Sequence, residues 1–211
     1  MKKVLLVALV VLLVGAVSTS VAQVKVSLGP KLGLNLANVS FDPDPFGASG
    51  ISKSSRTGFV GGAAIEMMFS GAPLALEADL FYMMGGCELS SRGSTGTWQV
   101  DAIQIPVLFK GKFPTPGIIS PYVYAGPALA IVTTAKVKSG GDEEDIKDHI
   151  SSTDFELVFG AGAEFKVESK IGVTFDVRYE LGLTDMDKET PGEPAIKSRG
   201  LMFMVGAMFY L

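Results

Sequence analysis

The sequence predicts an all-β fold, an eight-stranded antiparallel up-and-down transmembrane β-barrel with long external loops and short periplasmic turns. Three observations lead there. Apolar and polar residues alternate with period two along most of the chain, the mark of strands with two unlike faces. The alternating stretches are long: strands of globular proteins average about 5–6 residues, whereas a tilted strand needs about 9–11 to cross a bilayer. Their number is even, as in single-chain bacterial barrels, and the connections between them alternate long and short.

Ahead of the first strand, Lys2 and Lys3 form a basic region, Val4 to Val17 an apolar one and Ser20-Val21-Ala22 a small-x-small cleavage site. Residues 1–22 therefore read as a secretory signal peptide, cleaved near Ala22, and residues 23–211 as one barrel domain. The apolar stretch is too short for a permanent anchor.

The first strand, about Lys25–Ala37, sets Lys31 and Asn35 in its polar row, and the second, about Thr57–Phe69, carries Glu66. The third, about Leu74–Met84, brings Glu77 and Asp79; the fourth, about Thr97–Lys112, brings Gln104 and Lys110. The fifth runs over about Ile118–Thr133, and the sixth, about Asp154–Lys166, contributes Glu156 and Glu164. In the seventh, Ile171–Thr184, Val173, Phe175, Val177, Tyr179, Leu181 and Leu183 oppose Thr174, Asp176, Arg178 and Glu180. The eighth, Arg199–Leu211, carries Leu201, Phe203, Val205, Ala207, Phe209 and Leu211 in one row. The connections Ser40–Arg56, Gly85–Gly96, Thr134–Thr153 and Asp185–Ser198 are long. Ser70–Pro73, Phe113–Gly117 and Val167–Lys170 are short, so both termini fall on the periplasmic side. Turn formers and charges crowd the long connections, as in Phe41–Gly47 and Pro191-Gly192-Glu193-Pro194.

Composition narrows the function. Without the leader, 16 Lys and Arg face 22 Asp and Glu, a formal charge of −6 that disfavours a nucleic-acid partner. The single cysteine, Cys87, cannot form an internal disulfide. Beyond the leader no uncharged apolar run approaches the roughly 20 residues of a transmembrane helix, so any crossing is made by strands.

Alternation alone leaves two barrels open. A soluble secreted lipocalin-like binding barrel would turn its apolar row inward and its charges to water. An outer-membrane barrel would do the reverse, and a polar row facing lipid would cost about 2–4 kcal/mol for one mid-bilayer arginine. Spanning length, loop alternation and an apolar final strand favour the membrane arrangement. Lys31, Glu66, Glu77, Asp79, Lys110, Glu156, Glu164, Asp176, Arg178 and Glu180 then form an interior polar network with surplus acid, since eight strands leave room inside for side chains only.

The motifs Lys31-Leu32-Gly33-Leu34-Asn35-Leu36, Gln104-Ile105-Pro106-Val107 and Pro121-Tyr122-Val123-Tyr124-Ala125-Gly126-Pro127, with Gly160-Ala161-Gly162 and Asp176 to Thr184, resemble the small outer-membrane β-barrel proteins called porin family or PorT-like, and more loosely the OmpX-type eight-stranded barrels. The likeness covers the chain after its leader. It implies the bacterial outer membrane, outer-membrane lipid as surroundings and the barrel-assembly machinery as a partner during insertion. Two departures stand out: the chain ends on Leu211 instead of an aromatic residue, and Met83 and Met84 replace residues more often polar. The family shares no single activity.

No catalytic residue, cofactor or metal site is expected. The acidic run Asp142-Glu143-Glu144-Asp145 suits a hard cation chemically but fits no EF-hand spacing, and reads as a solvated loop. His149 has Ser151 and Ser152 nearby but no nucleophile elbow. Pro106 and Pro127, inside strands, predict bulges. Trp98 is expected in the aromatic girdle at the headgroups, while Tyr82, Tyr122, Tyr124 and Tyr179 divide between girdle and interior. Strand glycines such as Gly160 and Gly162 make room for large interior neighbours. The expected role is a non-enzymatic monomer acting through its external loops on an extracellular or envelope partner, with a narrow porin-like channel for small solutes as the alternative.

Overall fold

The computed structural model describes residues 24–42, 52–91, 94–113, 115–139, 141–186 and 195–211. The expected signal peptide and cleavage site, most of the expected Phe41–Gly47 turn and the expected Pro191–Pro194 turn lie outside the described residues. The strands are β1 (Val24–Asp42), β2 (Ser52–Phe69), β3 (Leu74–Ser91), β4 (Ser94–Lys112), β5 (Ile119–Ser139), β6 (Asp142–Asp145), β7 (Thr153–Glu168), β8 (Ile171–Gly182) and β9 (Ala195–Tyr210). All pairings are antiparallel. From β4 the sheet runs through β3, β2, β1, β9, β8 and β7 to β5, and β5 pairs with β4 to close a ring of eight long strands. No helix among the described residues is long and apolar enough to cross a membrane.

The pleat sorts the two rows. Leu32 is 52% exposed and its neighbour Lys31 1%. On β8, Phe175 and Val177 face outward while Thr174, Asp176, Arg178 and Glu180 are buried. The apolar row therefore faces out, the reverse of the lipocalin-like arrangement. The residues that such a soluble barrel would gather around a ligand form this barrel's outer surface.

Three expectations change. The connection Gly85–Gly96 is largely strand: β3 and β4 continue past Met84 with Cys87 opposite Trp98 and Ser90 opposite Thr95, so a β-hairpin rises where a loop was expected. The backbone ladder satisfies these residues whatever their side chains, and beyond the hydrocarbon neither row must be apolar. Second, Asp142–Asp145 forms the short strand β6, which lies back along β5 with Lys138 opposite Glu143 and Lys136 opposite Asp145. Opposite charges across a strand pair favour that register.

Third, Pro106 and Pro127 cause no bulge. The β3–β4 ladder passes from Ala78 opposite Val107 to Phe81 opposite Gln104, and β4–β5 from Pro106 opposite Ala128 to Phe109 opposite Ala125, both in unchanged register. A proline lacks one donor aimed at one neighbour, so each ladder loses rungs on one side and keeps its alignment. The register shifts fall elsewhere, at Ser55/Val60, Asp101/Ala102 and Lys166/Glu168.

Candidate functional site

The register builds the interior from the periplasmic end upward. β2 and β3 place Glu66 directly opposite Glu77, a repulsive pair that two lysines of β4 offset. Lys110 Nζ lies 3.0 Å from Glu66 and also binds Glu77, while Lys112 bridges Glu66 and, at 2.8 Å, Glu164. From β1, Lys31 reaches Glu77 at 2.7 Å and Asp176 at 3.8 Å. One level up, Arg178 Nη2 lies 2.8 Å from Asp79 and 3.8 Å from Glu77.

Tyrosines of β5 support these charges. Tyr122 donates to Asp176 at 2.9 Å, and the Tyr124 hydroxyl accepts from Arg178 Nε at 3.4 Å. Lys110 Nζ stands 4.3 Å from the Tyr122 ring centre, and the Arg178 guanidinium lies 5.3 Å from the rings of both Phe81 and Tyr124, cation–π distances in each case. The rings fit because β7 offers glycines. A Cβ on Gly160 would stand 2.6 Å from the Tyr124 hydroxyl, and one on Gly162 2.6 Å from the Tyr122 ring.

Above Arg178 the pattern changes. Gln104 donates its amide to both Glu156 and Glu180. Ser198 donates to Asp154 and, at 3.2 Å, to Glu156; Thr184 donates to Asp154. Beside this layer Val60, Phe81, Met83, Ala102, Ala130, Met202 and Met204 form an apolar cluster.

At the loop end Val100, Val132, Ala135, Ile150 and Met186 make a second cluster, with Trp98, Ile146 and Ile196 packed against it. Trp98 therefore packs on the cap of the barrel instead of standing in a headgroup girdle. Hydrogen bonds from Ser151 N to the Met186 carbonyl (2.7 Å) and from Met186 N to the Ile196 carbonyl (2.9 Å) tie the cap together. At the other end a vestibule of about 990 Å³ opens between the short turns, walled by Met68, Pro73, Phe113 and Tyr210, with Lys112 and Glu164 among its lining.

All ten interior residues named from the sequence are buried. Lys31, Glu66, Glu77, Asp79, Lys110, Glu164, Asp176 and Arg178 share one connected set of ion pairs closed by Lys112. Glu156 and Glu180 belong to the separate amide-bridged layer. Sequence reasoning missed Lys112, Asp154 and the pair Arg56–Asp101 (3.2 Å). Lys112 continues the parity of Gln104 and Lys110, and Asp154 that of Glu156, so that signal was present. The Arg56–Asp101 pair lies by the irregularity at Asp101/Ala102, where parity breaks.

His149 is exposed, its backbone N–H bonded to the Ile146 carbonyl at 3.0 Å. Cys87 is a buried free thiol. Tyr82 and Tyr179 lie on the outer row, and Tyr122 and Tyr124 inside. On the external hairpin Glu143 binds Lys136 and, at 3.0 Å, Lys138. Hydrogen bonds from these two amines hold the Glu143 carboxyl below its ordinary range, and the bond to Glu143 raises the Lys136 amine.

Residues 21–188 match the family model described as the outer membrane protein beta-barrel domain. No curated protein matches the chain. Among solved structures it is similar to Neisserial surface protein A, at 14% identity and a TM-score of 0.52, with 86% of this chain and 95% of that one covered. It is also similar to the outer membrane protein OprG from Pseudomonas aeruginosa, at 11% identity and a TM-score of 0.50, with 90% and 97% covered. At these identities the likeness is one of fold.

Proposed function

The chain belongs to the outer membrane protein beta-barrel domain family, and from that premise we propose that it is a non-enzymatic pillar of the bacterial outer membrane whose filled body holds external loops and hairpins in place for contact with other molecules. The observation carrying this reading is the ionic plug: Lys31, Lys110, Lys112 and Arg178 cross-link β1, β4 and β8 to carboxylates of β2, β3, β7 and β8. An apolar cap under the loops supports it further. Outer-membrane lipid surrounds the barrel, the assembly machinery inserts it after cleavage near Ala22, and it works as a monomer because a closed ring leaves no edge strand to pair.

The periplasmic vestibule favours a second reading, a narrow conduit for small solutes whose entrance lies there. Single-channel recording of the purified protein in planar bilayers separates the two. A filled pillar gives no sustained conductance. Sustained conductance by the native protein overturns that role, and its loss on plugging the vestibule through a bulky label at Met68 would assign the path.

A further inference from the structure

We propose that the barrel interior binds one hard divalent cation of the calcium class in the small cavity beside Glu156 and Glu180, completed by the amide oxygen of Asn35. The acid layer is where interior charge goes unbalanced. Lys31, Lys110, Lys112 and Arg178 are engaged with Glu66, Glu77, Asp79, Glu164 and Asp176. Among the described residues no lysine or arginine nitrogen comes within ion-pair distance of Asp154, Glu156 or Glu180, yet these three are 2%, 3% and 2% exposed. Asp154 accepts from two hydroxyls, whereas Glu156 and Glu180 share a single amide group, with one longer bond from Ser198 to Glu156 at 3.2 Å. Two buried carboxylates with no cation in direct ion-pair contact carry a heavy desolvation cost.

One further oxygen faces this layer without a donor. Asn35 is fully buried, and its Oδ1 has no hydrogen-bond partner. Its orientation is determined: Asn35 Nδ2 donates to the Met84 carbonyl at 3.1 Å, so a flip would lose that bond. Gly200 keeps the space open. The point where its Cβ would stand lies 2.9 Å from both Asn35 Oδ1 and Glu180 Oε2.

Size and charge select the occupant. A cavity of about 40 Å³ touches Asn35, Asp154, Glu156, Glu180 and Ser198, room for one ion and little more, given that a water takes up about 30 Å³. All the donors are hard oxygens, which suit calcium. A divalent charge matches the two glutamates. No three Asp, Glu, His or Cys side chains gather to hold a metal among the described residues, so the Asn35 amide oxygen and water complete the shell.

The test is equilibrium dialysis of the chelator-stripped, folded barrel in detergent against calcium chloride, followed by elemental analysis, with folding verified by the heat-dependent shift on a gel. The native protein binds one equivalent. Glu180→Gln weakens binding by at least about tenfold. Asn35→Asp adds charge at a ligand position and tightens it, which keeps the proposal testable if Glu180→Gln does not fold. Glu144→Gln with Asp145→Asn, on the external hairpin, leaves binding unchanged. Three results overturn the site: no binding to the folded native barrel, binding indifferent to both Asn35→Asp and Glu180→Gln, or binding lost in the hairpin variant.

Discussion

Arg178 is fully buried, and the fit of its guanidinium depends on partners contributed by two other strands: Asp79, Glu77 and Phe81 from β3, and Tyr124 from β5. Removing one member of such a pair leaves the other charged and stranded. Arg178→Met is therefore expected to cost about 3–5 kcal/mol in urea unfolding of the vesicle-inserted barrel, and Asp79→Leu added to it recovers part of the loss. Equal losses in the single and double variants would remove the pair from the account. Gly162 is a second point of fine fit. Gly162→Ala drives a methyl against the Phe175 carbonyl oxygen and to 2.6 Å from the Tyr122 ring and is expected to destabilise by about 1–3 kcal/mol, of which Tyr122→Ala relieves only the part due to the ring. At this scale the sequence told which residues turn inward, because parity along a strand is a local property. It did not tell who meets whom: Arg178 and Asp79 are 99 positions apart, and only ring closure brings them together.

Among the elements, the membrane-spanning parts of the strands were legible and their outer extensions were not. Lipid on one face and a polar plug on the other impose period two between Leu74 and Met84. From Gly85 to Ser90 buried positions no longer alternate with exposed ones, Gly85 to Cys87 being buried in succession, and the signal fades, although the ladder with β4 continues. The prolines misled for a related reason, since a bulge is one response to a missing donor and a skipped rung is another. The external β5–β6 pairing is held by charge and is expected to be acid-labile. Glu143 has a folded pKa below its ordinary value, so its contribution is complete above about pH 4.5 and is lost as pH falls through the lowered value. Lys136 is raised, so its contribution holds below its ordinary value and is lost only as pH rises through the raised one. Protection factors at β6 amides, exchange rates taken relative to the intrinsic rate at each pH, should thus fall in acid and on Glu143→Gln, while β8 amides stay protected. Unchanged exchange at β6 would mean that the backbone ladder alone holds the hairpin.

For the whole molecule, the same alternating chain builds an apolar belt outside and an ionic plug inside, and the two depend on each other: the plug exists because lipid claims the other row. Phe175→Arg, on the belt, is expected to cost about 2–4 kcal/mol at mid-bilayer depth in vesicle refolding, whereas Phe175→Leu costs far less. Equal tolerance of both would place β8 away from lipid. The fold class was readable from length, count and loop alternation, none of which needs side-chain partners. The apolar cap was not, because Ile150 and Met186 come from connections whose path no periodicity describes.

The most direct test of a barrel with lipid outside and charge inside is a nitroxide scan along β8. Single labels at Val173, Thr174, Phe175, Val177 and Tyr179 are introduced into the vesicle-inserted protein, and their relaxation by oxygen, which concentrates in the bilayer, is measured. A barrel so arranged gives strong relaxation at Val173, Phe175, Val177 and Tyr179 and weak relaxation at Thr174. Equal relaxation along the strand, or the strongest at Thr174, would contradict it.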